Sequence, residues 1–412
     1  MTAGPNRPAR MPGRVNLIAS AFALTALTYG LARFAYGLLL PEIREDLSLS
    51  ATAAGWIGGG AFAAYCIGIV AAFMTVPRLG ERGVTTLAGL TATCGLALVA
   101  IAQSGWSLGI ATLLAGLSTG LTSPPLAAAV ARCLDDVDRP KANGAINAGT
   151  AAGIIFSGIA VMAFPGGWRG LYGLFAAIGA AVTIWLWFAM PAGPRKAATS
   201  SGSGGTLMRS GVGGLCASAF LMGAASTSIW TFGASIMRDE LAIADGRIAL
   251  AWIVLGAAGV AGAGTGLLTA RLGIGTVHRA ALSAMALALI GLAWAPGMAP
   301  DMAPGTPMIA FAVMGLFGVA YIVSSGAFLL WGIALFPDRP DFGLGLPFLM
   351  LALGQTTGSP LFGSVWESAG RATALLSFAA LMGTAAIWTR AKATTPVTPA
   401  AWPRDSRQSG GG

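Results

Sequence analysis

Long apolar segments constrain this chain more than any other feature. Twelve of them follow one another along the 412 residues, each about 20 residues long, the length that crosses the hydrocarbon core of a bilayer. Only 9% of the residues are charged, against roughly 25% in a soluble protein, so water cannot surround most of the surface. Lipid offers no partner to exposed backbone groups, and the segments are therefore predicted to be transmembrane helices.

The predicted spans divide into two sets of six. The first six cover residues 15–40, 52–76, 84–103, 107–133, 142–164 and 171–190, and the second six cover 210–236, 248–270, 280–297, 308–333, 344–366 and 372–389. Residues 191–209 contain a Gly- and Ser-rich run that is typical of a flexible linker. We therefore predict an all-α integral membrane protein with two six-helix bundles, residues 15–190 and 210–390. A short N-terminal segment, 1–14, precedes them, and a disordered tail, 391–412, follows.

The distribution of basic residues predicts the orientation. With the N-terminus inside the cell, 18 of the 24 Lys and Arg residues fall in cytoplasmic segments, five fall in outer loops and Arg33 lies within a span. This skew follows the positive-inside rule and predicts a protein of the cell (inner) membrane with both termini cytoplasmic. The basic residues behind the net charge of +9 are scattered rather than clustered. We therefore expect contact with the lipid bilayer and none with nucleic acid.

Short matches recur in the two halves in the same order. They are a charged run, a turn motif, a second turn and a glycine pattern. The pairs are Arg44-Glu45-Asp46-Leu47 with Arg238-Asp239-Glu240-Leu241, Arg78-Leu79-Gly80 with Arg271-Leu272-Gly273, Asp138-Arg139-Pro140 with Asp338-Arg339-Pro340, and Gly149, Gly153 and Gly158 with Gly354, Gly358 and Gly363. Six spans per half give both halves the same direction. This predicts a pseudo-two-fold axis along the membrane normal, with a binding site at the interface.

At these residues the chain resembles the major facilitator superfamily, over residues 15–390. The superfamily's turn after the second span reads GxxxDRxGRR. The retained motif residues are Arg78, Gly80 and Arg82 in the first copy and Arg271 and Gly273 in the second, while Pro77 stands in place of the Asp. The resemblance implies twelve helices, transport by alternating access and gating by these turns. The stretch from Gly30 to Pro41 also looks like the YbfB/YjiJ-type branch.

Arg33 is the most informative single residue, because it is the one charge well inside a predicted span. Charged side chains at such depth usually face the bundle interior or a cavity. Tyr29, Arg33 and Tyr36 share one helical face at i, i+4 and i+7, and a guanidinium between two phenols suits a carboxylate. No acidic residue stands at matching depth, so we predict an anion site here. The alternative is that Arg33 snorkels or bonds to backbone carbonyls.

Further candidates lie on other spans. The resemblance implies that spans one, four, seven and ten line the cavity, and deep polar side chains also occur in spans five and eleven. The remaining predicted binding residues are Asn147, Thr227, Trp230, Tyr321 and Gln355. The alternative is that hydroxyls bond their own helix and that amides tie helices together.

Catalytic and metal chemistry are not expected. The four cysteines form no CxxC pair, and the single histidine, His278, falls in a predicted loop, so we predict no enzyme, cofactor or metal site. Glu42, Glu45 and Glu367 lie near the outer ends of spans. A carboxylate proton relay through the midplane is therefore not expected. Uniport, coupling through the substrate's own charge and coupling through an outer carboxylate stay open, so protons remain a candidate partner.

These observations favour a secondary active or facilitative transporter that moves a small solute, with an organic anion as the candidate, by alternating access. A drug or metabolite efflux antiporter is the alternative, although the fifth span lacks the Gly-Pro pair of the superfamily's antiporter motif. A non-transporting membrane receptor or scaffold, and an intramembrane enzyme, are alternatives of a different class. We expect a monomer.

Overall fold

A computed structural model describes residues 13–192, 209–298 and 305–389. Within these ranges the regular structure is helical throughout. The middle of the predicted linker and the predicted tail lie outside the described residues. Bilayer-facing backbone must bond within its own segment, which is the physical reason for this all-helical structure.

Twelve membrane-spanning helices form the described structure. The first half contains α1 (Arg14–Leu47), α2 and α3 (within Ala51–Ala100, which breaks at Gly80), α4 (Gly105–Cys133), α5 (Arg139–Ala163) and α6 (Gly167–Ala189). The second half contains α7 (Val212–Trp230), α8 (Asp245–Val260 and Thr265–Leu272), α9 (Ile274–Met298), α10 (Gly305–Leu335), and α11 and α12 (within Pro340–Trp388, which breaks at Gly370). Each of the predicted spans overlaps one of these helices, so the predicted fold class is confirmed.

Glycines in the left-handed region mark equivalent turns of the two halves. Gly80 (φ 69°) and Gly273 (φ 81°) join the second helix of each half to the third. Gly167 (φ 63°) opens α6, and Gly370 (φ 82°) stands before α12. Residues with a Cβ rarely adopt this conformation, so glycine is required at all four turns. A glycine with positive φ therefore occurs at the same two turns in each half.

Glycines also set the packing inside each half. In α5, Gly149 lies so close to α1 that an added Cβ would stand 2.5 Å from the carbonyl oxygen of Phe22. Gly354 in α11 meets the carbonyl of Phe220 in α7 in the same way and more closely. The glycines four residues later repeat the contact, Gly153 with Ala26 and Gly358 with Ala224. Small residues let helix backbones approach closely in membranes, and here they fix α5 on α1 and α11 on α7.

The third glycine of each pattern packs across the interface between the halves. Gly158 of α5 lies against Ala249 of α8, and Gly363 of α11 lies against Ala51 of α2. An interface with two-fold symmetry presents the same patch from both partners. These exchanged contacts are therefore those of a pseudo-two-fold axis between the bundles.

Ion pairs follow the same symmetry at the end of the molecule where α1 ends, here called the Arg44 end. Arg44 bonds to Asp239 at 2.9 Å, and Arg238 bonds to Glu45 at 2.8 Å. The two charged runs that match in sequence thus pair reciprocally. The opposite end, where α1 begins, is called the Arg14 end.

Helix α1 departs from the prediction in two ways. It continues through Pro41 to Leu47, seven residues beyond the predicted end at Leu40. Residues Ala26–Phe34 form a π-helical turn, which is wider than an α-helical one and often marks a functional site. Gly30 in this turn lies against Gly153 of α5, so the altered winding coincides with a close approach of the two backbones.

The turn between α2 and α3 is anchored to its own half. Glu81 is fully buried and accepts a bond of 2.9 Å from Arg132 of α4. Arg82 donates from Nε and Nη2 to the carbonyl of Met190, at 2.9 and 2.7 Å. Pro77 holds the place of the motif's carboxylate. The carboxylate of this turn is instead supplied by Glu81, four residues later, and it fixes the turn to α4.

The single histidine is not in a loop, which corrects the sequence prediction. His278 lies in α9 and is fully buried. Its Nε2 lies 2.9 Å from the hydroxyl of Ser218, and its Nδ1 lies 2.8 Å from that of Ser324. Helix α9 begins at Ile274, six residues earlier than predicted. The imidazole therefore joins α7, α9 and α10 inside the second half.

The glycine contacts lead to a stability prediction. Gly149→Ala and Gly354→Ala should each destabilise the protein by about 1–3 kcal/mol, because the added methyl group overlaps a backbone carbonyl. The matched control is Gly144→Ala in α5, where an added Cβ meets nothing within 4 Å. It should be neutral or slightly stabilising. Apparent melting temperatures in detergent at one scan rate provide the measurement, and equal values for Gly149→Ala and Gly144→Ala would contradict the packing.

A second stability prediction concerns the α2–α3 turn. Glu81→Gln should destabilise the protein by about 1.5–3 kcal/mol, the value of a hydrogen bond to a charged group. The control is Asp136→Asn, which removes a carboxylate that is 85% exposed and paired with Arg139 at the same end. Exposed pairs contribute about 0–1 kcal/mol. If both variants melt at the same temperature, Glu81 does not anchor the turn.

Candidate functional site

Arg33 lies at the interface of the two halves, near the middle of the bundle. It projects from the π-helical turn of α1 and is only 9% exposed. Its Nη2 donates a hydrogen bond of 2.6 Å to Oε1 of Gln355 in α11. Two residues 322 positions apart, both proposed from sequence as binding residues, thus meet directly and connect the first half to the second.

Four aromatic rings surround the Arg33 guanidinium. The distances from Cζ to the ring centroids are 4.5 Å for Tyr65, 4.8 Å for Phe62, 5.2 Å for Phe34 and 5.8 Å for Tyr29. A desolvated cation–π contact contributes about 2 kcal/mol. The rings therefore stabilise the buried cation without neutralising it.

The charge of Arg33 remains uncompensated within the described structure. No described carboxylate forms an ion pair with it, and its Nε has no hydrogen-bond partner. A buried charge normally requires a partner and full hydrogen bonding. The site thus offers a positive charge and an unused donor to an incoming group.

Trp230 forms the wall contributed by the second half. Its ring lies 4.3 Å from that of Phe34, 5.2 Å from that of Tyr321 and 6.1 Å from that of Phe317, measured between centroids. Its indole Nε1 is buried with no hydrogen-bond partner. Buried indole N–H groups usually find an acceptor. Trp230 and Tyr321, both predicted from sequence, are therefore brought together beside the Arg33 cluster.

Gln355 is fully buried and uses both ends of its amide. The carbonyl faces Arg33, and Nε2 donates to the Ser226 hydroxyl of α7 at 3.4 Å. Ser226 in turn donates to the carbonyl of Gly223 at 2.8 Å. The assignment of O and N in the amide follows from this network. Because Arg33 cannot accept a hydrogen bond, Oε1 must face it.

Three predicted residues lie apart from this cluster or are already bonded. The Tyr36 hydroxyl donates to the carbonyl of Ala54 at 3.0 Å, and the Thr227 hydroxyl donates to that of Ala224 at 2.7 Å. Asn147 is exposed on α5. The face shared by Tyr29, Arg33 and Tyr36 was derived for α-helical spacing, and the π-helical turn alters that spacing.

Sequence reasoning missed Tyr65, Phe62 and Ser123. Ser123 is exposed although it lies within α4, and its hydroxyl is 2.9 Å from that of Tyr29. One signal pointed to Tyr65. Tyrosine is rare in this chain, with five residues in all, and two of the other four flank Arg33. Nothing in the sequence gives the rotation of α2 and α4 about their axes, which places these side chains here.

The two ends of the molecule differ in the contacts described. At the Arg44 end, Glu367 of α11 accepts from the backbone N–H of Thr52 at 3.1 Å and from its hydroxyl at 2.5 Å, in addition to the reciprocal ion pairs. The predicted gating turns lie at the Arg14 end. There Gly80 is buried, Arg82 is bonded to Met190, and the exposed members are Arg78, Arg271 and Gly273.

Two curated proteins are similar in sequence. The transcription regulatory protein OpdE of Pseudomonas aeruginosa is 27% identical over 405 residues, covering 93% of this chain and 94% of its own length. Human monocarboxylate transporter 11 is 27% identical over 378 residues, covering 86% of this chain and 78% of its own. Both similarities therefore run along most of the chain.

Solved structures share the fold at low identity. The nucleoside transporter NupG superposes with a TM-score of 0.72 at 16% identity, covering 91% of this chain and 98% of that one. A D-xylose–proton symporter gives 0.75 at 14%, covering 91% and 97%. The human organic anion transporter TETRAN gives 0.62 at 16%, covering 92% and 100%.

A family model decides the assignment. The model of the Major Facilitator Superfamily matches residues 22–359, which include Arg33, Trp230, Tyr321 and Gln355. This match identifies the protein as a solute transporter rather than an enzyme. With its twelve helices in two symmetric bundles, the chain belongs to the Major Facilitator Superfamily.

Proposed function

We propose that the protein transports a small organic anion across the cell (inner) membrane by alternating access. The observation that carries this proposal is Arg33, a buried cation at the interface of the halves with no acidic partner and an unpaired Nε. A guanidinium with a free edge binds carboxylates in a planar, two-pronged geometry. Two similar proteins, monocarboxylate transporter 11 and the organic anion transporter TETRAN, are named for anions, which supports the same class.

The described contacts support a state that is closed at the Arg44 end. Reciprocal ion pairs and the bonds of Glu367 to Thr52 hold the halves together there. We propose that this end lies outside the cell, because the skew of Lys and Arg predicts that both termini are cytoplasmic. The exposed Ser123 hydroxyl beside Tyr29 supports access to Arg33 from the cytoplasmic side.

Transport is proposed to be uniport, or to be coupled through the substrate's own charge or through a carboxylate at the Arg44 end. Glu42 is the candidate carboxylate, since it accepts a hydrogen bond of 3.1 Å from the backbone N–H of Trp168. Uptake with and without an imposed pH gradient separates uniport from proton coupling.

We further propose that the protein acts as a monomer, binds no nucleic acid and belongs to the YbfB/YjiJ-type branch.

A non-transporting receptor is the second candidate, and one observation favours it. The relative OpdE is named a transcription regulatory protein. Export by an efflux antiporter would use the same central site in the opposite direction. Uptake and efflux assays in proteoliposomes distinguish these readings, because a receptor binds its ligand without moving it across the bilayer.

Arg33 variants test the anion proposal. A thermal-shift screen of anions, cations and sugars first identifies a stabilising ligand. Arg33→Ala should then weaken its binding about 10- to 150-fold, the equivalent of one charge-assisted hydrogen bond of about 1.5–3 kcal/mol. Arg33→Lys keeps the charge without the planar fork, and its affinity for the ligand should lie between those of the wild type and Arg33→Ala. Arg279→Ala removes an exposed arginine and is the control. Unchanged affinity in Arg33→Ala would contradict the proposal.

The Arg44 end provides a test of alternating access. Arg44→Gln with Arg238→Gln removes both reciprocal pairs, each contributing about 0.2–1 kcal/mol. The state open at this end should become roughly two- to thirtyfold more populated. Spin labels at Ser48→Cys and Ala244→Cys, in a background without native cysteines, report the distance between the halves. Arg169→Gln is the control, because Arg169 pairs with Asp46 inside the first half. Identical distance distributions would exclude a gate here.

A further inference from the structure

Gln355 occupies half of the Arg33 edge that suits a carboxylate. Nε and Nη2 lie on the same edge of a guanidinium and together bind both oxygens of a carboxylate. Here Nη2 is bonded to the single amide oxygen of Gln355, and Nε is left without a partner. An amide carbonyl presents one oxygen and no net charge. It therefore leaves this edge half satisfied and the charge uncancelled.

The surroundings of this edge limit what else could occupy it. The rings of Tyr65, Phe62 and Phe34 lie over the guanidinium, and Trp230 packs on Phe34. The apolar ring faces favour a substrate with an apolar body, and the single cation, Arg33, favours a substrate with one negative charge. Among the described residues, no second cation lies against Arg33 to hold a second carboxylate.

We propose that Gln355 is an internal competitor of the substrate, and that the substrate is a monocarboxylate with an apolar or aromatic body. This inference rests on the proposed anion transport and assigns its chemistry. The incoming carboxylate takes both Nε and Nη2 and displaces Oε1 of Gln355. The carboxylate carries a negative charge and accepts from both nitrogens, whereas the neutral amide of Gln355 accepts from Nη2 alone, so the exchange favours the carboxylate.

Displacement of Gln355 has a conformational consequence. The Arg33–Gln355 bond connects α1 with α11, so binding breaks a side-chain bond between the halves. The released amide keeps its contact with Ser226 of α7 and stays with the second half. Substrate binding therefore exchanges a contact between the halves for a contact between the first half and the solute.

Substitutions at Gln355 separate competition from simple contact. Gln355→Leu removes the competing oxygen and should tighten binding of sodium benzoate, the probe, by about tenfold, the lower end of the range for one charge-assisted hydrogen bond. Gln355→Glu supplies a permanent carboxylate and should weaken benzoate binding at least tenfold. If Gln355 were an ordinary substrate ligand, Gln355→Leu would instead weaken binding. Titration calorimetry in detergent at pH 7 measures all three proteins.

The controls distinguish failure of the competition by Gln355 from failure of the proposed anion transport. Thr356→Val alters the next residue of α11, whose hydroxyl bonds its own helix at Ala352, and should leave benzoate affinity unchanged. Gln355→Met replaces Gln355→Leu if the latter misfolds. Succinate should bind more weakly than benzoate, and equal binding overturns the monocarboxylate assignment. If Arg33→Ala abolishes binding while Gln355→Leu does not tighten it, competition is wrong and anion transport stands. If wild type and Gln355→Leu bind no carboxylate, the monocarboxylate proposal is wrong, and if they bind no organic anion of the thermal-shift screen, anion transport is wrong as well.

Discussion

Close approach of helix backbones is the constraint on which the rest of the structure depends. Lipid is as apolar as the side chains it surrounds, so helices associate in a membrane through tight packing rather than by escape from water. Gly149 and Gly354 bring α5 onto α1 and α11 onto α7, while Gly158 and Gly363 carry the contact across the interface. These contacts fix the helices within each bundle and also bring the two bundles into direct contact.

A buried cation has a particular meaning in such a scaffold. An acidic partner would have neutralised Arg33 and left a structural ion pair, as Glu81 does for Arg132. Aromatic rings stabilise the guanidinium while leaving its charge in place. The positive potential therefore persists in the centre of the molecule. It can be cancelled by an anionic solute that arrives from outside the protein, which is the physical basis of the proposed anion transport.

The helices and their symmetry were predictable because their causes are local. Apolar segment length follows from bilayer thickness, and the repeat is written in short turns and glycine patterns. Arg33, Gln355, Trp230 and Tyr321, which the sequence predicts as binding residues, lie close together in the structure, and their role in binding stays a prediction. The end of α1 was predicted at Leu40 because Pro41 follows it, yet the helix runs through that proline to Leu47.

Features that depend on tertiary contact could not be predicted. The π-helical turn of α1 lies where Gly30 meets Gly153, and it changes the face on which Tyr36 lies. Tyr65 and Ser123 reach the site through the rotation of α2 and α4, which a single sequence does not encode in any local pattern. His278 was placed in a loop because it precedes the apolar core of α9. Two serine hydroxyls on neighbouring helices make its burial tolerable.

Symmetry is kept in the ion pairs of the Arg44 end and lost at the candidate site, and the tasks proposed for the two regions explain the difference. At the Arg44 end each half offers one arginine and one acid to the other, so the proposed alternating access would break both pairs together. At the centre, the first half contributes the cation and the second contributes a neutral amide and an indole. The proposed solute, with one charged end and one apolar end, has no two-fold symmetry. Recognising it requires different chemistry from each half, while the scaffold that moves around it can remain symmetric.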